Sequence, residues 1–130
     1  WEFILVRREE VKKRLAEAAL DQDFIAEAPV VVVVCTDVER SGWKYGERGR
    51  SFYSLIDASM ASMLILLSTV EEGLDACFVA AFDDDQVSKI LNLPRRVRPV
   101  GIIPIGYAAE TPDMTRRMPL EKVLHLERWS

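Results

Sequence analysis

The feature that most constrains the fold of this chain is a long apolar stretch, residues 52–82, which reads FYSLIDASMASMLILLSTVEEGLDACFVAAF. Over residues 52–72, large apolar side chains occur in almost every direction around a helix, with small residues between them. A helix that is apolar all round is buried on more than one side. Little else in a chain of 130 residues could wrap it completely. The sequence therefore predicts that this helix lies partly against a second copy of the chain, in an obligate homodimer.

A membrane span is the alternative interpretation of the same helix. A span needs roughly 20 apolar residues, whereas the uncharged run here covers only residues 58–70, between Asp57 and Glu71. The run is too short, so no membrane is expected. Gly73 is suited to end the helix, and residues 76–82 then have the pattern of a short buried strand.

The composition is that of one soluble domain over residues 1–130. Hydrophobic residues make up 49% of the chain and charged residues 29%, a balance typical of globular proteins. The net charge of −4 argues against a nucleic-acid-binding protein, because phosphate binding needs clustered Lys and Arg. The printed sequence shows no signal peptide, and a cytoplasmic location is the expectation.

The other elements alternate between strand and helix patterns, which indicates an α+β fold with helices flanking a sheet. The β-branched run PVVVVVCT is typical of a central strand that is covered on both faces. Pro104 predicts that the last internal strand lies at an edge or a bulge. Strands are expected at residues 1–7, 29–36, 76–82 and 99–107, helices at 8–20, 52–72 and 83–93, and a C-terminal arm with an apolar, docked end at 108–130.

Residues 37–51 are polar and contain three glycines, which is typical of a loop. Trp43 and Tyr45 are exceptions within it, because large aromatic side chains on a loop commonly pack over a ligand or a partner surface. Two roles stay open for them. They are either an anchor that fixes the loop to the body of the protein or a lid over a bound ligand.

No motif of a hydrolase, a metal enzyme or a Rossmann-type nucleotide-binding protein occurs. The single histidine, His125, lies in the apolar end of the arm, where packing is the expected role. Both cysteines, Cys35 and Cys77, lie in apolar runs, so buried free thiols are expected rather than a disulfide or a metal site. No catalytic side chain is assigned. What remains is cofactor chemistry, in which the protein supplies placement and electrostatics.

Four segments carry a resemblance to a known family. They are KYGERGR, IDASMASMLILLS, GLDACFVAAFDDDQVSKILNLP and RPVGIIPIGYAAETP, and their order and spacing resemble the FMN-dependent nitroreductase family over residues 22–129. The resemblance implies a nitroreductase-like mixed sheet flanked by helices, with the long central helix at the dimer interface. It also implies FMN between the subunits, NAD(P)H as electron donor, and a nitroaromatic, quinone or similar small acceptor. In this family the C-terminal arm adds a strand to the sheet of the other subunit.

The resemblance also implies which residues bind the cofactor. Gln22 matches a polar residue that contacts the flavin pyrimidine, although a helix-ending role is the alternative for this side chain. Val79, Ala80 and Ala81 match the strand end whose backbone lies against the isoalloxazine ring. Arg116 and Arg117 match the basic residue that binds the FMN phosphate, with ordinary surface charge as the alternative.

The chain also departs from the family pattern. The family usually carries an RRS-R helix and an APS-N loop ahead of a first strand like this one, and neither motif occurs in residues 1–130. Met63 and Leu64 stand where Gln-Asn is common, and Asp75 replaces a glycine. A second hypothesis is therefore a degenerate, non-catalytic module that binds flavin or serves only as a dimeric interaction unit.

Overall fold

The computed structural model describes residues 1–129 and is built on a four-stranded sheet. The order of the strands is β1-β2-β4-β3, and every pair among the described residues is antiparallel. The α+β class is confirmed. The sheet among the described residues contains no parallel pair, so it is antiparallel and not the mixed sheet that was expected. The strands are β1 (Glu2–Val6), β2 (Val30–Asp37), β3 (Asp75–Ala76) and β4 (Val97–Gly106).

Helices cover both faces of this sheet. Three short helices lie on one face and one long helix lies on the other. Because successive strand residues point to opposite faces, Val31 and Val33 of β2 join the larger core cluster while Val34 joins the smaller one. The helices on the first face are α1 (Glu9–Ala18), α2 (Phe24–Glu27) and α5 (Asp84–Ile90), and the helix on the second face is α4 (Ser54–Glu71).

Pro104 predicted that the last long strand lies at an edge or a bulge of the sheet, but the structure does not place this strand at an edge. β4 lies between β2 and β3. The Pro104 carbonyl accepts a bond from the Cys77 backbone N–H, so the proline nitrogen also faces β3, where the pairing is short and interrupted. A register shift between β2 and β4 occurs elsewhere, between Val34 and Cys35. A missing N–H therefore marks a weakly paired side of β4 rather than an edge strand.

The predicted strand at residues 76–82 is shorter in the structure. Regular pairing ends at Ala76, and only Val79 forms a further bridge, with Ile102 of β4. Ala80 and Ala81 are exposed and belong to no strand. Apolar composition alone could not show this, because Cys77 and Phe78 are exposed as well.

The expected loop at residues 37–51 is wrong, because this segment is helical. α3 (Val38–Arg48) contains one non-helical residue, Gly46, at φ 59°, and a π-helical turn (Gly49–Tyr53) then leads directly into α4. Asp37 begins α3 by accepting hydrogen bonds from the backbone N–H groups of Glu39 and Arg40, at 3.2 and 3.3 Å.

The long helix is confirmed, and within one chain only one side of it is buried. The fully buried residues, which face the sheet, are small or polar. Ile65 and Leu66 are partly buried against the same core, and most other large apolar residues of α4 are exposed. The helical stretch Val38–Glu71 is long and apolar enough to cross a membrane. The core helices of soluble proteins meet the same criteria of length and composition. The buried residues are Ser54, Ala58, Ser62 and Thr69, and the exposed large ones are Ile56, Met60, Met63, Leu64, Leu67 and Val70.

The two thiols have different environments. Cys35 is buried, as expected, and burial together with the negative charge of Glu2 raises its pKa to about 11. Cys77 is exposed, so the prediction of a buried thiol there is wrong. Cys77 directly follows β3, and its backbone N–H donates to the Pro104 carbonyl on the interrupted side of β4.

The arm is exposed within one chain. A 3-10 turn (Leu120–Lys122) is its only regular element among the described residues. His125 is half-buried and its ring stacks on Trp129 at 4.1 Å between centroids, which agrees with a packing role. The arm's apolar side chains, including Met114 and Leu126, are largely uncovered, so docking of the arm stays a prediction.

Candidate functional site

Two of the predicted cofactor-binding segments meet at the C-terminal end of α1. The backbone N–H of Asp83 donates to the Ala18 carbonyl at 2.9 Å, which fixes the segment that follows Ala81. One residue along the helix, the Ala19 carbonyl accepts a bond from Gln22 Nε2 at 2.6 Å. Gln22 and residues 79–81 therefore flank the same corner of the molecule, and this corner is named the α1 corner below.

Gln22 ends the helix and still keeps one polar atom available. Its backbone N–H donates to the Ala16 carbonyl at 3.3 Å, and its side-chain nitrogen is bonded to Ala19. Its Oε1 accepts no bond from any residue in 1–129, and no unsatisfied buried side-chain atom is present there, so this oxygen is open to solvent. Both bonds are to carbonyls at the end of α1, which agrees with a helix-ending role, and an acceptor oxygen remains for a ligand N–H.

Val79, Ala80 and Ala81 differ in what their backbones can offer. The Val79 N–H and C=O are both paired with Ile102, at 2.9 Å each. The N–H groups of Ala80 and Ala81 donate to no residue within 1–129. Since both alanines are exposed and small, a flat molecule could approach the backbone closely here and accept a hydrogen bond from it.

A strained turn completes the α1 corner, and sequence reasoning missed it. Leu20 and Asp21 both adopt the left-handed conformation, at φ 60° and 56°, between the end of α1 and Gln22. Leucine rarely adopts this conformation, so nothing in the sequence could have indicated the turn. The left-handed conformation is less unusual at Asp21, because residues with a short polar side chain adopt it more readily.

The predicted phosphate-binding arginines lie on the C-terminal arm, outside the helices and strands described above. Arg116 and Arg117 are exposed, and neither forms an ion pair within residues 1–129. Arg117 donates only to its neighbour Thr115, to the carbonyl oxygen at 3.3 Å and to Oγ1. Within residues 1–129 of one chain, no hydrogen bond links these guanidinium groups to Gln22 or Ala81.

A third exposed group lies on α3 and the π-helical turn. Trp43 is 87% exposed and projects from the helix. Tyr45 packs edge-on against Tyr53 at 5.3 Å between ring centroids, and the Arg48 guanidinium lies over the rings of Tyr53 and Phe52. Tyr45 is therefore held in an aromatic cluster, while the choice between anchor and lid stays open for Trp43.

An apolar cavity lies elsewhere in the described part of the chain, between the edge of the sheet and α4. It is an open apolar groove of about 550 Å³ lined by residues that include Trp1, Phe3, Leu64 and Ile105. A second, of about 400 Å³, is lined by Phe52, Leu55, Ile56, Ser59, Met60 and Met63 on the outer side of α4. None of the six predicted cofactor-binding residues lines either one. Ala80 and Ala81 are exposed, so this side of the α1 corner is open to solvent in one chain.

The donor set at these positions fits FMN. An amide oxygen suits the pyrimidine N–H, two free backbone N–H groups beside small side chains suit the edge of a flat ring, and guanidinium groups suit a phosphate. Within residues 1–129, no group of three or more His, Cys, Asp or Glu side chains could hold a metal ion.

The sequence model of the Nitroreductase family matches residues 19–107. This range includes Gln22 and residues 79–81 and excludes Arg116 and Arg117. The chain is 32% identical to a candidate NADH dehydrogenase/NAD(P)H nitroreductase of Methanothermobacter thermautotrophicus, with 99% of the chain and 65% of the relative covered. It is 25% identical to FMN reductase (NADPH) of Bacillus subtilis, with 96% of the chain and 55% of the relative covered.

Solved structures show the same fold. NfrA1 of B. megaterium superposes with a TM-score of 0.86 at 26% identity, over 99% of this chain and 57% of that one. This chain therefore spans between about half and two-thirds of the length of the relatives described here.

Proposed function

The chain belongs to the nitroreductase family, and on that premise we propose that it is a flavin-dependent oxidoreductase acting as a homodimer. It would take electrons from NAD(P)H and pass them through FMN to a nitroaromatic, quinone or similar small acceptor. The observation that carries the proposal is the α1 corner, because its open amide oxygen and free backbone N–H groups lie within the matched range. The name of the B. subtilis relative, an FMN reductase, supports the choice of cofactor.

Bound FMN would supply the two-electron chemistry, which no side chain of the corner offers. The residues of this chain would bind and orient it. Gln22 Oε1 would accept from the pyrimidine N–H, and the Ala80 or Ala81 N–H would donate to the edge of the ring. The short side chains of Ala80 and Ala81 would let the ring lie directly against the backbone. Arg116 and Arg117 would bind the phosphate as a charge-assisted pair.

A second copy of the chain is part of the proposal. One chain leaves the α1 corner open, the outer face of α4 apolar, and the arm without cover. A ring stacked on an open corner would gain little from water exclusion, whereas a partner surface would enclose it. The cytoplasmic location remains an expectation from the sequence.

The direct experiment is to purify the protein and measure bound flavin by its visible absorbance. Yellow protein that oxidises NAD(P)H in the presence of a quinone is the expected result. Colourless protein that also fails to bind added FMN would contradict the proposal and favour the non-catalytic module. Flavin binding without NAD(P)H oxidation would leave a flavin carrier.

The phosphate contact has its own test. Replacing Arg116 and Arg117 by alanine should remove charge-assisted hydrogen bonds worth about 1.5–3 kcal/mol each and weaken FMN by at least about tenfold. Riboflavin, which has no phosphate, should bind as before, and this makes it the matched control. Equal loss of both ligands would show that the arm is needed for folding, and no loss would make both arginines ordinary surface charges.

A further inference from the structure

Three helices of this chain end in a left-handed residue, and one of them has an unusual residue there. α4 is followed by Gly73 at φ 70°, and α5 by Asn92 at φ 52°. Gly and Asn are the residues that this position favours, because they adopt the conformation with least strain. α1 is followed instead by Leu20 at φ 60°. The chain thus uses a favourable residue at two helix ends and an unfavourable one at the third.

Packing inside the chain does not explain this leucine. Leu20 is 73% exposed, so its side chain gains little from burial that could offset the strained backbone. The need to end a helix explains a left-handed residue but not the residue type, since Gly73 and Asn92 have this conformation after α4 and α5. The end of α1 differs in having a second left-handed residue, Asp21. A leucine that is both strained and exposed points to a contact outside this chain's own core.

The position of Leu20 indicates what that contact is. It stands between Ala19, whose carbonyl holds the Gln22 side chain, and Gln22 itself. One residue before Ala19, the Ala18 carbonyl holds the segment that contains Ala81 through Asp83. Of the other groups of the α1 corner, Val79 is only 4% exposed and the rest are polar or as small as a methyl group, so none of them offers a large exposed apolar surface.

We propose that Leu20 is a binding residue of the α1 corner that contacts the isoalloxazine ring of the flavin. This rests on the proposed function and adds a residue to it. Gln22 and the free backbone N–H groups set the orientation of the ring by hydrogen bonds, and Leu20 adds apolar contact area. The strained turn is retained because it holds this side chain beside Gln22.

The experiment compares Leu20→Asn with Asn92→Leu, a matched exchange at the end of α5. Asn is favourable in the left-handed conformation, so Leu20→Asn should keep or raise the midpoint of thermal unfolding. It should also weaken FMN and riboflavin by the same factor, about five- to tenfold, because the lost contact is to the ring. Asn92→Leu should lower the unfolding midpoint and leave both affinities unchanged. Affinities are read from quenching of flavin fluorescence.

Three outcomes would overturn the inference. Wild-type affinity in Leu20→Asn would mean that the leucine does not touch the ring. Weaker binding accompanied by a lower unfolding midpoint would mean that Leu20 supports the fold. Loss of FMN with riboflavin retained would place Leu20 at the phosphate. If the wild-type protein binds neither flavin, the proposed function itself fails, and this result is distinct from the other three.

Discussion

At the scale of single residues, Asp37 is the most connected charged group of the chain. It caps α3 and forms an ion pair with Arg96 at 3.0 Å, while Arg40 approaches to 3.9 Å. Burial alone would raise the pKa of its carboxyl, but the Arg96 hydrogen bond, the Arg40 backbone N–H and the charges of both arginines outweigh it and lower the pKa. Asp37 thereby joins β2, α3 and the segment that precedes β4.

Substitutions of Asp37 should separate these roles. Asp37→Asn keeps an N-cap and loses the charge, so the free energy of unfolding should fall by about 0.2–1 kcal/mol at pH 7, because Arg96 is exposed. Asp37→Ala also removes the N-cap of α3, so its free energy of unfolding should be lower by about a further 1 kcal/mol. Urea titrations of both variants and the wild type measure these differences.

The pH dependence of the same residue follows from its lowered pKa. A carboxyl with a lower pKa in the folded state stabilises the fold above its unfolded pKa, and this is lost as the pH falls through the folded pKa. The difference in unfolding free energy between wild type and Asp37→Asn should therefore shrink below about pH 4. A difference that stays constant between pH 7 and pH 3 would contradict the ion-pair role.

Ala81 tests where the flavin ring lies. Because Ala81 is exposed and belongs to no strand, Ala81→Leu should leave the unfolding midpoint unchanged. The added atoms would enter the space proposed for the ring, where overpacking costs about 1–3 kcal/mol, so FMN and riboflavin should both bind at least about fivefold more weakly. Ala81→Ser, which keeps the small volume, should bind both. Normal binding in Ala81→Leu would place the cofactor elsewhere.

The residue scale also shows what the sequence could indicate. Gln22 was predicted from a resemblance, and the structure adds a bonding pattern in which one end of its amide is used and the other is free. Leu20 could not be predicted, because its significance lies in a backbone angle that leucine seldom adopts. Cys77 was assigned to a buried strand by its apolar neighbours, although burial depends on a layer that the chain does not place there.

At the scale of elements, periodic segments were predicted well and the α3 segment was not. The run of valines in β2 and the apolar pattern of α4 dominate their local sequences, so burial decides their structure. Residues 37–51 have three glycines and little apolar surface, and the loop prediction followed from that. Gly42 and Gly49 instead permit close packing, since a Cβ on Gly49 would lie 2.4 Å from the Ser41 carbonyl oxygen, whereas Gly46 permits a left-handed backbone.

This packing predicts unequal effects for two glycines. Gly49 has helical angles, so alanine suits its backbone, but the new methyl group would meet the backbone of Ser41. Gly49→Ala should therefore lower the free energy of unfolding by about 1–3 kcal/mol. At Gly42 the nearest atoms belong to the Arg50 side chain, which can move at the expense of its exposed ion pair with Glu39. Gly42→Ala should cost less than about 1 kcal/mol.

Urea unfolding of the two variants measures this comparison. If both substitutions lowered the free energy of unfolding by the same amount, the π-helical turn would not lie as close to the Ser41 backbone of α3 as in the structure. Greater stability of Gly49→Ala than of the wild type would mean that helix propensity, and not the contact with Ser41, decides the outcome.

At the scale of the whole molecule, the described chain covers one side of its central helix and leaves the other to solvent. The sequence indicated this division through a helix with no polar face, but it could not show which side the sheet takes. The structure places the small residues, together with the partly buried Ile65 and Leu66, against the sheet, and leaves most of the large side chains outside. The large side chains remain available for an interface.

The homodimer is the last prediction and the one on which the enclosed site depends. Met63 and Leu67 are 56% and 60% exposed in one chain, so an aspartate at either position should cost the isolated fold little. An obligate interface buries about 2,000 Å² or more. There the same carboxylate would lose its hydration without gaining an ion-pair partner, which would destabilise the dimer. Sedimentation of Met63→Asp and Leu67→Asp should therefore change from dimer to monomer or aggregate at micromolar concentration. A monomeric wild type would contradict the assembly.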